Sequence, residues 1–476
     1  MTTPEALVEL DRARPGLAGQ LTVALREAIV QGRLVPGTRL PSSRGLAADL
    51  RLSRGVVVEA YEQLVAEGRL LARPGAGTVV APDTGATQRR SGPPDARSSA
   101  AGPAVQVNPS GNGLRSGVPD LAMFPRAQWR RAYERALSRA RDADFDYGDP
   151  AGAPRLRTEL SNYLGRVRAA RVDPADLVIT TGAAQAFSLV AAVLRSRGAT
   201  TIGIEDPGSV AIRVHFEAQG LRPVPVPVDH EGLDVEALAR TGLPAVLTTP
   251  AHQYPTGVVL APRRRAALLA WARTTGGLVV EDDYDAEFRY DRDPVGCLQG
   301  LAPDLVAHIG SASKALAPAM RLGWLAVPPG WRAAVVAAKT AADIGGPVLE
   351  QLAFAELLAD GGYDRHLRRS RQAHRQRRDA LTAALRRYLP AARISGIAAG
   401  LHLVVELPDG VDDEGLADAA QRAGLMPVPL SRLRLAPGGP PGLVLGYAAN
   451  PPAELTRAVR TLASLLPPLP DPGRTR

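Results

Sequence analysis

The sequence predicts an α/β protein of two parts: a small head of three helices and a hairpin, and a much larger domain in which strands and helices alternate. Three observations predict this. Residues 83–113, "DTGATQRRSGPPDARSSAAGPAVQVNPSGNG", are rich in Gly, Ser, Pro and Ala, hold no aromatic residue and show no helical or strand period. That is the composition of a flexible linker between a head at 1–82 and a domain at 114–470. Within the head, two helix-like segments lie two or three residues apart, a helix-turn-helix spacing. From about residue 155 to 330, apolar strand-like runs alternate with helical periods.

The head follows in order. Leu17, Leu21, Leu25, Ala28 and Ile29 fall on one face of a first helix, which "GRLVPGTRLP" ends. Ser42 or Ser43 can cap a second helix, "SRGLAADL", and Ser53 a third, "RGVVVEAYEQLVAEG". "RLLARPGAGTVVA" reads as two short strands around a Pro-Gly turn, a hairpin wing. Such a third helix presents its N-terminal residues to a DNA major groove, which makes Ser53 and Arg54 candidate contacts. Ser42, Arg44, Arg73 and the wing glycines Gly75 and Gly77 are candidates for the backbone or a base.

Composition bounds the rest. With 476 residues, 45% hydrophobic and 22% charged, the chain can form more than one packed core. A lone cysteine, Cys297, excludes an internal disulfide and suits a reducing cytoplasm. "MTTPEALVEL" shows no secretory signal, and no apolar run approaches the ~20 residues of a membrane span. The net charge of +9 hints at a polyanionic partner, although residues 1–82 hold ten arginines against eight acids. The densest basic run, "RHLRRSRQAHRQRR" at 365–378, has a helical period that spreads its seven arginines around much of the surface; it is expected to be a solvated or subunit-facing helix, with a nucleic-acid patch as the lesser reading.

Only two lysines occur, Lys314 and Lys339. "LVAHIGSASK" is an apolar strand running into a small-residue turn that ends at Lys314. A primary amine forms a Schiff base with an aldehyde, which a guanidinium does not do. The aldehyde cofactor with that requirement is pyridoxal 5′-phosphate, which also needs an acid at its ring nitrogen and a phosphate cradle. In "GGLVVEDDYDAEFRY" an extended chain puts Asp282 and Tyr284 on one face and Glu281, Asp283 and Asp285 on the other. A divalent-metal site from these acids is the lesser reading, because no histidine lies nearby in the sequence. "DLVITTGAAQAFSL" turns from strand into helix at Gly182 and Ala183, where backbone N–H groups can approach an anion. Ser311, Ser313 and Arg321 complete that shell.

The head string "LPSSRGLAADLRLSRGVVVEAYEQLVAEGRLLARPGAGTVV" resembles the winged helix-turn-helix of GntR-type bacterial regulators. The ordered motifs YGDPAG, TTGAAQ, EDPG, HQYPTG, EDDYDAEFRY and GSASKALAPAMRLGW resemble the fold-type I aminotransferase-like domain. Joined, they resemble the MocR family of bacterial regulators over nearly the whole chain. The resemblance implies a doubly wound large domain with a mostly parallel sheet, a smaller C-terminal α/β domain, and a homodimer, usually head-to-tail. It implies Lys314 as the internal-aldimine lysine, Asp282 as the pyridinium partner and Tyr284 as the partner of the ring O3′. Phosphate would be held by Gly182, Ala183, Ser311, Ser313 and Arg321, with Tyr147 reaching the neighbouring subunit's phosphate.

Three positions depart from the pattern. Ser209 stands in "EDPGS" where relatives place an aromatic residue. "PAHQYPTG" lacks the asparagine that transaminases use at O3′, leaving His252 or Gln253. The late strand "GLVLGYAA" lacks a carboxylate-binding arginine, leaving Arg432 or Arg434. The implied function is a cytoplasmic, nucleoid-associated regulator that binds operator DNA. It would sense pyridoxal 5′-phosphate, or an amino compound forming an external aldimine with it, and control vitamin B6 or amino-acid genes. The alternative is a working aminotransferase that carries a DNA-binding head.

Overall fold

The computed structural model describes residues 16–66, 69–73, 77–81, 113–290 and 296–466. The linker expected at 83–113 lies outside them except for Gly113. The chain forms two compact units, Met1–Ala101 and Gly102–Arg476.

In the first unit, α1 (Leu17–Val30), α2 (Ser43–Asp49) and α3 (Arg54–Ala66) precede an antiparallel hairpin of β1 (Leu70–Arg73) and β2 (Gly77–Val80). Ser42 is the α2 cap, its oxygen accepting the Gly45 N–H at 3.1 Å, and Ser53 accepts the Val56 N–H at 3.4 Å. The apolar face read from the sequence is the core: Leu21, Leu25, Ala28, Leu46, Val57 and Leu64 are fully buried. The Tyr61 hydroxyl donates to the Pro41 carbonyl at 3.0 Å and ties α3 to the α2 entry. Residues 37–40 flank the wing, since the Leu40 N–H donates to Thr78 O and the Gly37 N–H to Val80 O, both at 2.9 Å.

The second unit begins with α4 (Arg126–Arg139) and α5 (Pro154–Arg168). The strand-helix alternation then runs β3 (Leu177–Thr180), α6 (Ala183–Ser196), β4 (Thr201–Asp206), α7 (Val210–Ala218), β5 (Arg222–Asp229) and β6 (Gly232–Leu233). It continues through α8 (Val235–Ala239), β7 (Ala245–Thr248), α9 (Pro262–Thr275), β8 (Leu278–Asp282), β9 (Val306–Ser311), β10 (Gly323–Ala326) and α10 (Arg332–Asp343). The eight strands lie in the order β3-β10-β9-β8-β7-β4-β5-β6. From β9 across to β5 every pairing is parallel, while β10 runs against both its neighbours.

Every residue of β3, β7, β8, β9 and β10 is buried, as a sheet covered on both faces requires. Alternate strand residues feed two cores. Leu278 and Val280 pack with Phe187 of α6, Phe216 of α7 and Val335 of α10, whereas Val279 packs with Leu238 of α8 and Leu268 of α9. The sheet is doubly wound.

Helices α11 (Val348–Ala359) and α12 (Gly362–Tyr388) lead to the smaller part. There β11 (Arg393–Ser395), β12 (His402–Glu406), α13 (Asp413–Arg422), β13 (Val428–Pro429), β14 (Gly442–Gly446) and α14 (Pro452–Leu465) follow. Its strands form an antiparallel sheet in the order β11-β12-β14-β13. The segment entering this unit is pressed onto β14: the Gly446 N–H donates to Leu114 O at 2.8 Å, and a Cβ at Gly446 would collide with the Arg115 carbonyl.

The head core is small, so one truncation should loosen it selectively. Leu64→Ala is expected to cost about 3 kcal/mol. Amide hydrogen exchange should show faster opening in α1 and α3, with β8 and β9 unchanged; equal loosening in both units would contradict this picture.

Candidate functional site

Ligands of open parallel sheets bind beyond the carboxyl ends of the strands, and five strand ends here converge on one cavity of about 440 Å³. After β3 comes Ala183; after β4, Ser209; after β7, Thr249; after β8, Tyr284; after β9, Ser313 and Lys314. Asp282, Ser311 and Arg321 line the same cavity. The structure thus brings together seven residues that the sequence singled out from three separate stretches.

The anion cradle is built tightly. Gly182 has φ 93° in the left-handed region, and a Cβ there would lie 2.9 Å from the Arg321 guanidinium, so only glycine lets that cation sit over the α6 entry. Arg321 donates to the Thr181 carbonyl. The Ser311 and Ser313 hydroxyls are 2.8 Å apart.

The acids of β8 separate as an extended strand dictates. Asp282 and Tyr284 face the cavity. Glu281 turns away to accept the Leu298 N–H at 2.7 Å and to meet His308 Nδ1 at 3.0 Å. Asp283 takes a buried bidentate bond from Arg168 at 2.7 and 2.8 Å. Asp285 meets His252 Nδ1 at 3.0 Å, and that nitrogen is also 3.1 Å from the Tyr284 hydroxyl.

Asp282 Oδ1 is buried without a hydrogen-bond partner. Burial, with the charges of Asp283 and Asp285 adding, pushes its carboxyl up to about 7. Such a group accepts a cationic N–H readily, because the donor restores what burial removed. Lys314 Nζ donates to the Gly117 carbonyl at 2.5 Å, and burial lowers its pKa against the pull of Asp285 and Asp282. Lys339 differs: it is fully buried on α10 and held by Asp343 at 2.9 Å.

Other expected residues lie elsewhere. His252 is buried but is not on the cavity wall; it sits behind Tyr284. Gln253 is consumed within its loop, donating to Pro207 O at 3.0 Å and Tyr254 O at 2.6 Å. Arg432 points outward to Asp418 at 2.8 Å and Glu414 at 3.2 Å, and Arg434 donates to Pro440 O at 2.7 Å; neither lines the cavity. Tyr147 is 85% exposed and lines a different pocket. In the head, Ser42, Arg44, Ser53 and Arg54 are exposed and Gly77 has φ 85°. Gly75 and the Arg73 side chain lie outside the described residues.

The structure adds residues that sequence reasoning missed. Tyr254 and His402 line the cavity with their rings 5.2 Å apart, and burial pushes His402 down to about 4, so it is neutral. Ser116 and Gly117 reach the wall from the segment that enters the unit. In the head, the exposed Arg39 lays its guanidinium over Gly77 at the wing root. The quoted "HQYPTG" held a signal for Tyr254; His402 and Gly117 lie too far along the chain for any local pattern to place them.

Glu281, Cys297 and His308 also place donor atoms within 4.8 Å of one another. A histidine does therefore stand beside the acids, although the sequence shows none near, because Glu281 and His308 are register partners on β8 and β9. The Glu281 oxygens are already taken by donors, and Arg168 supplies positive charge to this cluster.

Residues 17–80 match the family of bacterial regulatory proteins of the gntR type, and residues 113–462 match aminotransferase class I and II. The chain is 35% identical over 443 residues to the HTH-type pyridoxine biosynthesis transcriptional regulator PdxR of Corynebacterium glutamicum, covering 90% of this chain and 92% of that protein. It is 31% identical over 468 residues to the probable rhizopine catabolism regulatory protein MocR of Rhizobium meliloti, covering 95% and 94%. Among solved structures it is similar to the kynurenine aminotransferase of Pyrococcus horikoshii. That likeness has a TM-score of 0.68 and 26% identity, over 75% of this chain and 91% of that one.

Two consequences of the acid cluster are measurable. Burial, with Glu281 and Asp283 adding, pushes the Cys297 thiol up to about 12, so it stays protonated at neutral pH. A thiol reagent at pH 8 should react with it only on unfolding; rapid reaction in the native protein would contradict the burial. Arg168→Met should cost about 3–5 kcal/mol in denaturant unfolding, because the buried Asp283 loses the guanidinium that holds both its oxygens.

Proposed function

The chain belongs to the MocR family of HTH-type transcriptional regulators, a gntR-type head joined to an aminotransferase class I and II domain, and from that premise we propose that it is an operator-binding regulator responsive to pyridoxal 5′-phosphate held at Lys314. The observation that carries this reading is a half-buried lysine sharing a cavity with an unpartnered buried carboxylate, Asp282.

The donor set suits the cofactor. Arg321, Ser311, Ser313 and the backbone at Gly182 and Ala183 would hold its phosphate, Asp282 its ring nitrogen, Tyr284 its ring oxygen and Lys314 its aldehyde carbon. When bound, pyridoxal 5′-phosphate supplies an aldehyde open to primary amines and an electron-withdrawing ring. The protein's part is to prepare that reception. Burial favours the neutral amine of Lys314, and the Gly117 carbonyl orients it. The Asp285–His252 pair fixes the direction of the Tyr284 hydroxyl. Asp282 keeps a proton on the ring nitrogen, since an N–H⁺ relieves its desolvation.

Sensing is favoured over turnover by the cavity wall. Among the described residues its arginine is Arg321, committed to the cradle, and Val444 on the late strand is buried in an apolar cluster. Among the described residues that line the cavity, no second guanidinium stands ready to grip a substrate carboxylate. Homodimerisation completes the reading: exposed Tyr147 is free to reach the phosphate of a second copy. The head grips operator DNA through Arg44 and Arg54 at the exposed starts of α2 and α3.

Two experiments test this. Arg44→Ala or Arg54→Ala should weaken operator binding by about 1–3 kcal/mol while cofactor absorbance is retained. Asp282→Asn should raise the concentration of pyridoxal 5′-phosphate needed to change operator binding by tenfold or more, with operator affinity in its absence unchanged. Equal cofactor response in Asp282→Asn and wild type would reject the site; sustained transamination of amino acids by wild type would reject the sensing role.

A further inference from the structure

The arginine run on α12 does not spread around the helix as its sequence suggests. Arg371 and Arg377 turn inward, donating to the Glu287 carbonyl and to Asp120. Ten positions of α12 are exposed: 365, 368, 369, 372, 375, 376, 379, 383, 386 and 387. At 3.6 residues per turn they fall within a stripe about 120° wide, along a helix about 40 Å long. Six of the ten are arginine and one, Asp379, is acidic. Arg365 meets Asp360 at 3.5 Å and Arg387 lies over the Tyr388 ring at 5.2 Å. Arg368, Arg369, Arg375 and Arg386 have no ion pair among the described residues.

A solvated helix face ordinarily mixes both signs, because a one-sign row repels itself. Unpaired guanidiniums spaced about two to three turns apart along one stripe match a polyanion instead, since each planar fork binds a phosphate in two places. We propose that the outer face of α12 is a second DNA-contact surface, holding the phosphate backbone of duplex that flanks the operator half-sites bound by the head. This rests on the reading of the protein as an operator-binding regulator. The contact is independent of base sequence, and its contribution is affinity and salt dependence.

The test uses the full chain and two duplexes, one ending at the half-sites and one carrying long flanks. Affinity is measured from about 50 to 200 mM salt, where each phosphate contact contributes a slope of about 0.9 in log K against log salt. On the long duplex, Arg368→Gln/Arg369→Gln is expected to lower that slope by about 2 and affinity by at least tenfold. On the short duplex it should match wild type. Arg375→Gln/Arg386→Gln serves as a second pair on the same stripe with the same expectation, and sedimentation checks oligomeric state in both. Unchanged slopes on the long duplex would overturn the proposal, as would conversion of the variants to monomers, which would make the stripe a subunit face. Wild type that bound neither duplex would overturn the regulator reading first, and this surface with it.

Discussion

A row of four acids at the end of β8 governs the cavity, and the structure depends on how their charge is distributed. Three are satisfied: Glu281 by backbone N–H groups and His308, Asp283 by Arg168, Asp285 by His252. The fourth, Asp282, is buried, faces the cavity and has an oxygen with no partner. Carboxylates this close cannot all ionise unless something neutralises the others. Arg168, reaching from the end of α5, holds both oxygens of Asp283, and the oxygen without a partner is left on Asp282.

The same division of labour extends outward. The parallel strands set their carboxyl ends side by side, so residues from β3, β4, β7, β8 and β9 meet although they are spread over some 130 positions. The anion cradle, the acid and Lys314 then line one cavity. The segment at 113–117 crosses onto β14 and offers the Gly117 carbonyl to the lysine, so the entry of the chain into this unit is also part of its site. A ligand bound there touches the large sheet, the smaller sheet through His402, and the entry segment together.

Much of this was legible in the sequence because it is local. Period-two alternation put Asp282 and Tyr284 on one side, the strand-to-small-residue turn marked Lys314, and caps at Ser42 and Ser53 fixed the head helices. What was hidden depends on register and tertiary packing. His308 reaches Glu281 because β8 and β9 pair there, and no sequence interval signals it. His252 is near the site but serves Tyr284 instead of the wall, since Asp285 captures its ring. The arginines of α12 segregate because some find carbonyls and an acid on the inner side, which helical period alone does not reveal.

The central claim is that Lys314, of the two lysines in the chain, is the residue that captures the cofactor. Incubating the purified protein with pyridoxal 5′-phosphate, reducing with borohydride and mapping peptides by mass measures it directly. The account predicts the pyridoxyl mass on the peptide containing Lys314 and none on Lys339. Label confined to Lys339, or no label on either lysine, would contradict it.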